Sequence, residues 1–375
     1  MHILVVALHR PDKPTGVCRH AANLARCLAD TDKVTQITLV TGSWQQHYFK
    51  TAFLLNSAKI KVLGIEINNT SISRNFWFLF GLPNLVAQLQ PDLVHLSFPL
   101  PFIRSRFSCP VVATIHDLYP CKFPENFGYK QAFFNRLFLQ QCVRSSDALT
   151  CVSQTTLDDL EAYFPEVRSK RDRVKVIYNI VDFEQIEPKI PHVLEDIAER
   201  PFILCVGQHR KNKNLDLSIG AYALLRHENR LDLSIRLIIV GSLGPETENL
   251  SQSIEQLSLG DSVLMLSAIN DSELCWLYQN CKLFVAPSSL EGFCIPLVEA
   301  LYFSSKVVCS DIPIFREIGS SSCIYFDLKG DPIDNLAQSI TTALTADIPN
   351  QNECCSRFAK PEIATQYLNF YVESI

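Results

Sequence analysis

The chain has 375 residues, 47% of them hydrophobic and 19% charged, with a formal net charge of −5. It is too long for one ordinary core and too apolar for a disordered or fibrous protein, so two domains of roughly 150–200 residues are expected. It holds 13 glycines, where average usage of about 7% would give about 26, and none makes a G-x-G-x-x-G or a G-x-x-x-x-G-K-[ST], which excludes a fingerprinted dinucleotide-binding or Walker ATPase reading.

Residues 3–8, rich in Ile, Leu and Val, read as a strand buried on both faces. A polar loop with Pro11, Pro14 and Gly16 leads into a helical pattern over 17–29. Short apolar runs at 36–40, 61–65, 93–96, 111–115, 148–152 and 174–178 continue the series, with helices over 74–89 and 129–145. Residues 184–200 are charged and carry Pro188 and Pro191, as a linker would. The rhythm then restarts, with strands at 202–206, 237–240, 263–266, 283–285, 307–308 and 324–325. Helices are expected over 215–229, 246–258, 271–279, 295–303 and 332–345, and an amphipathic helix over 361–373 ends the chain. Strand, loop, helix, strand is the grammar of a parallel α/β sheet, here in two consecutive domains, 1–183 and 184–359.

Charge divides along the same line. Residues 1–183 hold 20 Lys+Arg against 14 Asp+Glu, a net of +6, and the remainder holds 14 against 25, a net of −11. The first part is mildly suited to anionic partners, far short of what nucleic acid needs. The 14 cysteines include no C-x-x-C, and Cys205, Cys309 and Cys323 lie in apolar runs, which suits reduced thiols in a cytoplasmic protein. The adjacent Cys354 and Cys355 read as an accident of the surface. The N-terminus reads as a strand rather than a signal peptide. The apolar run Phe76–Leu82 is less than half the ~18 residues that would span a bilayer.

Ligands of open parallel sheets sit beyond the carboxyl ends of the strands. Glycine marks several of those ends, at Gly16, Gly207, Gly241 and Gly292. Gly16, Gly207 and Gly292 are the ones least expected to tolerate a side chain. The segment Val285–Glu299 places Glu291 and Glu299 eight positions apart, with Gly292 opening a turn and Pro296 in the first turn of a helix. Amides of residues 292–294 at that helix N-terminus form an anion site fit for a phosphate. A polar loop with a solvent-facing Glu299 is the plain alternative. In Val206–Leu215, Arg210, Lys211 and Lys213 crowd a loop between strand and helix, where cations would neutralise a diphosphate. His116 ends the run Val111–Ile115, placed either to bond a sugar hydroxyl or to pair structurally with Asp117. Thr15-Gly16 offers backbone amides to a phosphate, or a mere turn.

The stretch E-G-F-C-I-P-L-V-E-A-L, preceded by A-P-S-S-L, resembles the E-x7-E segment of the GT4 family of retaining glycosyltransferases, which have the two-domain GT-B fold. V-G-Q-H-R-K-N-K-N-L, T-I-H-D-L, V-I-Y-N-I-V-D and C-S-D-I-P-I-F-R-E-I-G extend the resemblance over most of the chain, in the family's order. It implies two Rossmann-like domains facing a central cleft, the first binding acceptor and the second donor, with the helix of 360–375 packing back on the first. By the same resemblance, Glu291 contacts the transferred sugar near its anomeric carbon, and Glu299 holds the ribose. The amides of Phe293 and Cys294, with Arg210 and Lys213, hold the diphosphate, and His116 meets a distal sugar hydroxyl. Gly16, Gly207, Gly241, Gly292 and Leu297 line the donor site, with Ser267 and Ile269 where a base would sit. Two departures stand out: only Gly16 remains of the usual paired glycines, and Ile180 replaces the glycine of an N-G-V-D turn, so a conformation without positive φ is expected there.

Breaking a sugar–phosphate bond builds negative charge on the leaving diphosphate, which cations and a helix N-terminus stabilise. No D-x-D metal motif of the kind used by the other large transferase fold stands out, so neither metal nor other cofactor is expected. The implied reaction moves a hexose, with UDP-glucose the first donor considered and GDP-mannose the second. The acceptor is a saccharide or lipid-linked saccharide of an envelope or extracellular polysaccharide. A sugar-nucleotide 2-epimerase of the same fold and a catalytically silent sugar-nucleotide binder are the alternatives. Phe76–Phe80, with Arg74, Arg104 and Arg106 nearby in sequence, reads either as a buried helix or as a peripheral contact with an anionic membrane at the cytoplasmic face.

Overall fold

In the computed structural model, which describes all residues but 127–128, 198, 346–355 and 375, the branched-chain runs become the strands of two parallel sheets. Two compact units result, Met1–Ile180 with Arg357–Ile375, and Val181–Ser356.

The first unit holds β1 (His2–Val6), β2 (Gln36–Gly42), β3 (Ile60–Ile65), β4 (Leu93–Leu96), β5 (Val111–Ile115), β6 (Ala148–Cys151) and β7 (Val174–Val176). Their order across the sheet is β3-β2-β1-β4-β5-β6-β7. Its helices are α1 (Gly16–Ala29), α2 (Gln46–Thr51), α3 (Ser71–Phe76), α4 (Leu82–Leu89), α5 (Tyr119–Lys122), α6 (Tyr129–Ser145) and α7 (Gln154–Tyr163). The two-residue period of a strand sends alternate side chains to opposite faces, so Ile3 and Val5 enter one core and Leu4 and Val6 the other. The C-terminal helix Lys360–Ser374 completes the first of these cores. It packs against α1 and buries Ile363, Tyr367 and Tyr371 at helical spacing.

The second unit repeats the plan with β8 (Phe202–Val206), β9 (Arg236–Val240), β10 (Val263–Leu266), β11 (Leu283–Ala286), β12 (Val307–Ser310) and β13 (Ile324–Phe326), ordered β10-β9-β8-β11-β12-β13. Between and after them run α8 (Leu215–His227), α9 (Thr247–Gln256), α10 (Asp271–Asn280), α11 (Ile295–Tyr302), α12 (Pro313–Gly319) and α13 (Pro332–Thr345). Strand order reverses between β1 and β4 in one sheet and between β8 and β11 in the other. Those are the switch points at which such sheets bind ligands.

The expected α/β fold of two parallel sheets is what forms, with local corrections. The helix expected over 74–89 forms without a break as α3, a π-helical turn over Trp77–Gly81, and α4, so its irregularity is the π-turn. Pro83 lacks an N–H for the continuous ladder, and Gly81 sits where a Cβ would lie 2.4 Å from the Trp77 ring. Helix α7 buries Leu157 and Leu160 in the core and is capped by Ser153, whose hydroxyl accepts from the Thr156 N–H at 2.9 Å. Ile180 is buried and avoids positive φ, as expected. All described cysteines are free thiols, most of them buried, while Cys354 and Cys355 lie outside the described residues. Among the described residues no helix is long and apolar enough to cross a membrane.

Candidate functional site

In the second unit the chain leaves β8 through Gly207 and turns over residues 210–214 into α8. Asn214 closes that turn in the left-handed region (φ 46°, ψ 41°), a conformation asparagine tolerates better than most residues. The turn aims Lys213 inward, where its ammonium pairs with Glu291 from the loop after β11; the two side chains are 18% and 10% exposed. Burial opposes the Lys213 charge, but the charge and hydrogen bond of Glu291 outweigh it, so the lysine is held above its ordinary range. Arg210 and Lys211 remain exposed.

Glu291 lies just ahead of α11, whose first turn contains Pro296. Cys294 caps this helix with φ 65° and ψ 73°, left-handed backbone without a glycine to relieve it. Such outliers persist where the surroundings over-determine them. Burial, reinforced by the Glu291 charge, pushes the Cys294 thiol up to about 12, so it stays protonated. Phe293 is buried beside it, Gly292 is half-buried, and Leu297 is fully buried with its N–H donated to the Cys294 carbonyl. Glu299 is not solvent-facing; it is 4% exposed, and the Tyr278 hydroxyl donates to it at 2.8 Å. In the loop after β10, Ser267 is exposed and Ile269 half-buried.

The glycines differ from expectation in a physical way. A Cβ on Gly16 would meet nothing within 4 Å, and the nearest neighbour of one on Gly207 would be the Lys213 side chain, at 3.4 Å. A Cβ on Gly241 would lie 1.8 Å from the Gly207 carbonyl oxygen, and one on Gly244 2.3 Å from that of His209. Steric intolerance therefore belongs to Gly241 and Gly244, where the loops after β8 and β9 press together, and not to Gly16 or Gly207. His209 locks the same junction, its Nδ1 2.9 Å from the Thr247 hydroxyl, which also accepts from the Gly244 N–H.

In the first unit, His116 follows β5 and is half-buried. Its Nε2 lies 2.7 Å from the Ser97 carbonyl, which can only accept, so that nitrogen carries the proton. Burial lowers its pKa, leaving a neutral ring whose Nδ1 is an acceptor. The His20 ring stands edge-on to it at 4.8 Å and is tied through Nδ1 to Asn179 at 2.7 Å. Thr15 caps α1 in extended backbone (φ −128°, ψ 168°), which any residue adopts, so the missing second glycine introduces no strain. Gln45 braces the loop ahead of it, accepting from the His9 and Gly42 N–H groups and donating to Tyr48. Among the described residues no group of three or more His, Cys, Asp or Glu is arranged to hold a metal ion.

Residues 14–185 match the family described as Glycosyltransferase Family 4, and residues 187–360 that described as Glycosyl transferases group 1. The chain belongs to the GT4-type glycosyltransferases. It is 28% identical over 334 residues to the O-antigen chain mannosyltransferase RfbU of Salmonella typhimurium, covering 86% of each chain. It is 34% identical over 179 residues to the N-acetylgalactosamine-N,N'-diacetylbacillosaminyl-diphospho-undecaprenol 4-alpha-N-acetylgalactosaminyltransferase of Campylobacter jejuni, covering 47% of this chain and 45% of the relative. Its fold is that of Anabaena HepE, solved in complex with UDP and glucose, with a TM-score of 0.69 at 18% identity over the whole of both chains. The two Rossmann-like units are those of the GT-B fold.

Sequence reasoning about this glycosyltransferase passed over Asn212, Asn214, His209, Tyr278, His20 and Gln45. The alternation Lys-Asn-Lys-Asn over 211–214 was the available signal, since one parity carries cations and the other amides. Each of the remaining four has a partner distant in sequence, which local pattern does not show.

Proposed function

We propose that this glycosyltransferase moves a hexose from a nucleotide-diphosphate sugar to a saccharide or lipid-linked saccharide, with retention of anomeric configuration and without a metal, in envelope or extracellular polysaccharide synthesis. The observation that carries the reading is the Lys213–Glu291 pair set ahead of α11. An ammonium and a helix N-terminus suit a leaving diphosphate, and a carboxylate beside them suits an anomeric carbon gaining positive charge. Lys213 has three N–H bonds, so it can serve Glu291 and a phosphate oxygen together. Exposed Arg210 is open to the same phosphates. Buried Glu299, held by Tyr278, is assigned to the ribose hydroxyls. The open space over Gly16 suits close approach of a phosphate to the start of α1. His116 Nδ1 accepts from a sugar hydroxyl. As the sugar–phosphate bond breaks, the acceptor hydroxyl forms the new bond and its proton passes to the leaving phosphate.

Similarity to RfbU, a mannosyltransferase by name, supports GDP-mannose as the donor to test first, ahead of UDP-glucose, which rests on a fold-level neighbour. The undecaprenol-linked substrate named for the Campylobacter relative supports a lipid-linked acceptor at the cytoplasmic face of a membrane. The exposed stripe Ile72, Phe76 and Phe80 is the proposed contact with an anionic surface. A panel of sugar nucleotides, read by thermal shift and slow donor hydrolysis, tests the assignment, and binding of none overturns it. Glu291→Ala should lower turnover by at least about 100-fold while nucleotide affinity survives. Glu299→Ala should instead weaken nucleotide affinity, and the reverse pattern means that the two roles are exchanged.

A further inference from the structure

Lys213 and Glu291 come from loops 78 residues apart in sequence, after the neighbouring strands β8 and β11. Neither loop alone fixes the distance between ammonium and carboxylate. Their spacing is set by hydrogen bonds one residue away. The Asn212 side-chain amide donates to the Leu290 carbonyl at 3.0 Å, so the residues immediately preceding Lys213 and Glu291 are bonded to one another. The Ser289 N–H donates to the Asn212 carbonyl at 2.9 Å, and the Asn214 amide donates to the Pro287 carbonyl at 3.0 Å. Asn212 thus uses both side chain and backbone to staple the turn over 211–214 to the loop over 287–291.

We propose that Asn212 is a positioning residue for sugar transfer, holding the cation of the leaving group and the carboxylate at one fixed separation; this rests on the donor-site reading above. It touches no donor atom in this scheme. Its amide protons are directed at a carbonyl of the partner loop, and its effect reaches the donor through Lys213 and Glu291. Asparagine suits the place because a short amide reaches a carbonyl across two abutting loops, which alanine cannot do. Displacement of reacting groups by about 1 Å can lower a rate by about 100-fold with little effect on ground-state binding. The consequence should therefore appear in kcat more than in KM.

The test is a double-mutant cycle on turnover and donor KM, using Asn212→Ala, Lys213→Arg and the double variant; arginine keeps a cation but moves it, so that turnover stays measurable. Asn212→Ala should lower kcat by about 10- to 100-fold while donor KM changes less than about threefold. In the Lys213→Arg background the same change should lower kcat less than about threefold, because the geometry that it protects is already lost. Asn214→Gly keeps the left-handed backbone while deleting the second amide staple, and should reproduce the kcat loss in milder form. An equal kcat factor in both backgrounds, or a loss confined to thermal stability, overturns the proposal. A wild-type chain that neither transfers nor hydrolyses any sugar nucleotide overturns the donor-site reading itself, and this inference with it.

Discussion

Gly16 and Gly241 look alike in sequence, each a glycine after a buried strand, yet their surroundings separate them. The first has open space above it, and the second has the Gly207 carbonyl where its Cβ would go. Gly241→Ala should therefore push apart the loops after β8 and β9, costing about 1–3 kcal/mol in chemical denaturation. Because the first of those loops carries Lys213, donor affinity should fall as well. Gly16→Ala should leave stability within about 0.5 kcal/mol, and any loss of donor binding in that variant would then report on the ligand and not on the fold. An unchanged Gly241→Ala protein would mean that the two loops part without penalty. Residue type and spacing marked Glu291, Lys213 and His116 as candidates. The burial of Glu299 was not, because its neighbour Tyr278 lies 21 positions away on another helix.

At the scale of elements, the segment 71–89 decides whether the protein has a membrane-facing surface. Positions four apart share one face of a helix, and a position two away lies nearly opposite. Phe78 is buried, while Ile72, Phe76 and Phe80 lie 84%, 65% and 38% exposed at four-residue spacing. The Arg106 guanidinium stacks on the Phe80 ring at 4.7 Å, placing positive charge beside the apolar stripe. Sedimentation with vesicles rich in anionic lipid should carry the wild-type protein down at low salt. Replacing Ile72 and Phe76 by serine should lower the bound fraction at least about tenfold, by the loss of buried apolar area. If the wild type stays in solution at low salt, the stripe has another purpose. Sequence alone left the aromatic run undecided between a core helix and a surface, because apolar residues fall on both faces of this helix and the local pattern does not say which face the core covers.

Across the whole chain, topology ties the two ends of the sequence together. After the second unit the chain returns, and Tyr371 of the C-terminal helix bonds the His95 Nδ1 at 2.8 Å. His95 Nε2 is 2.9 Å from the Thr114 hydroxyl, which is 2.7 Å from that of Thr150, so strands β4, β5 and β6 share one buried polar chain with that helix. Burial lowers the pKa of His20, His95 and His116, His95 to about 3; the charges of neighbouring rings add to the effect at His20 and His95, while the Ser97 carbonyl and Asp117 oppose it at His116. A folded state that holds histidine neutral below its unfolded pKa has its full stability above about pH 6.5 and loses it as acid protonates the unfolded chain. The melting temperature of the first unit should therefore fall steadily from pH 7 to pH 4. His20→Gln should flatten that fall, and a melting temperature insensitive to pH over this range would show that the histidines titrate alike in both states.

Sequence by itself determined the two series of short apolar strands, the linker between them, the family motifs and the candidates at the strand ends. These depend on local periodicity and on residue type, which are printed in the chain. Only the tertiary structure decided which glycines are sterically required, that Lys213 meets Glu291, that Asn212 bonds the loop carrying Glu291, and that Glu299 is buried against Tyr278. The first three depend on strand order, β8 beside β11 and β9 beside β8, which brings together loops separated by tens of residues. Local pattern specifies that a strand forms, and the packing of helices on both faces of the sheet selects its neighbours. The site exists where those neighbours place their loops.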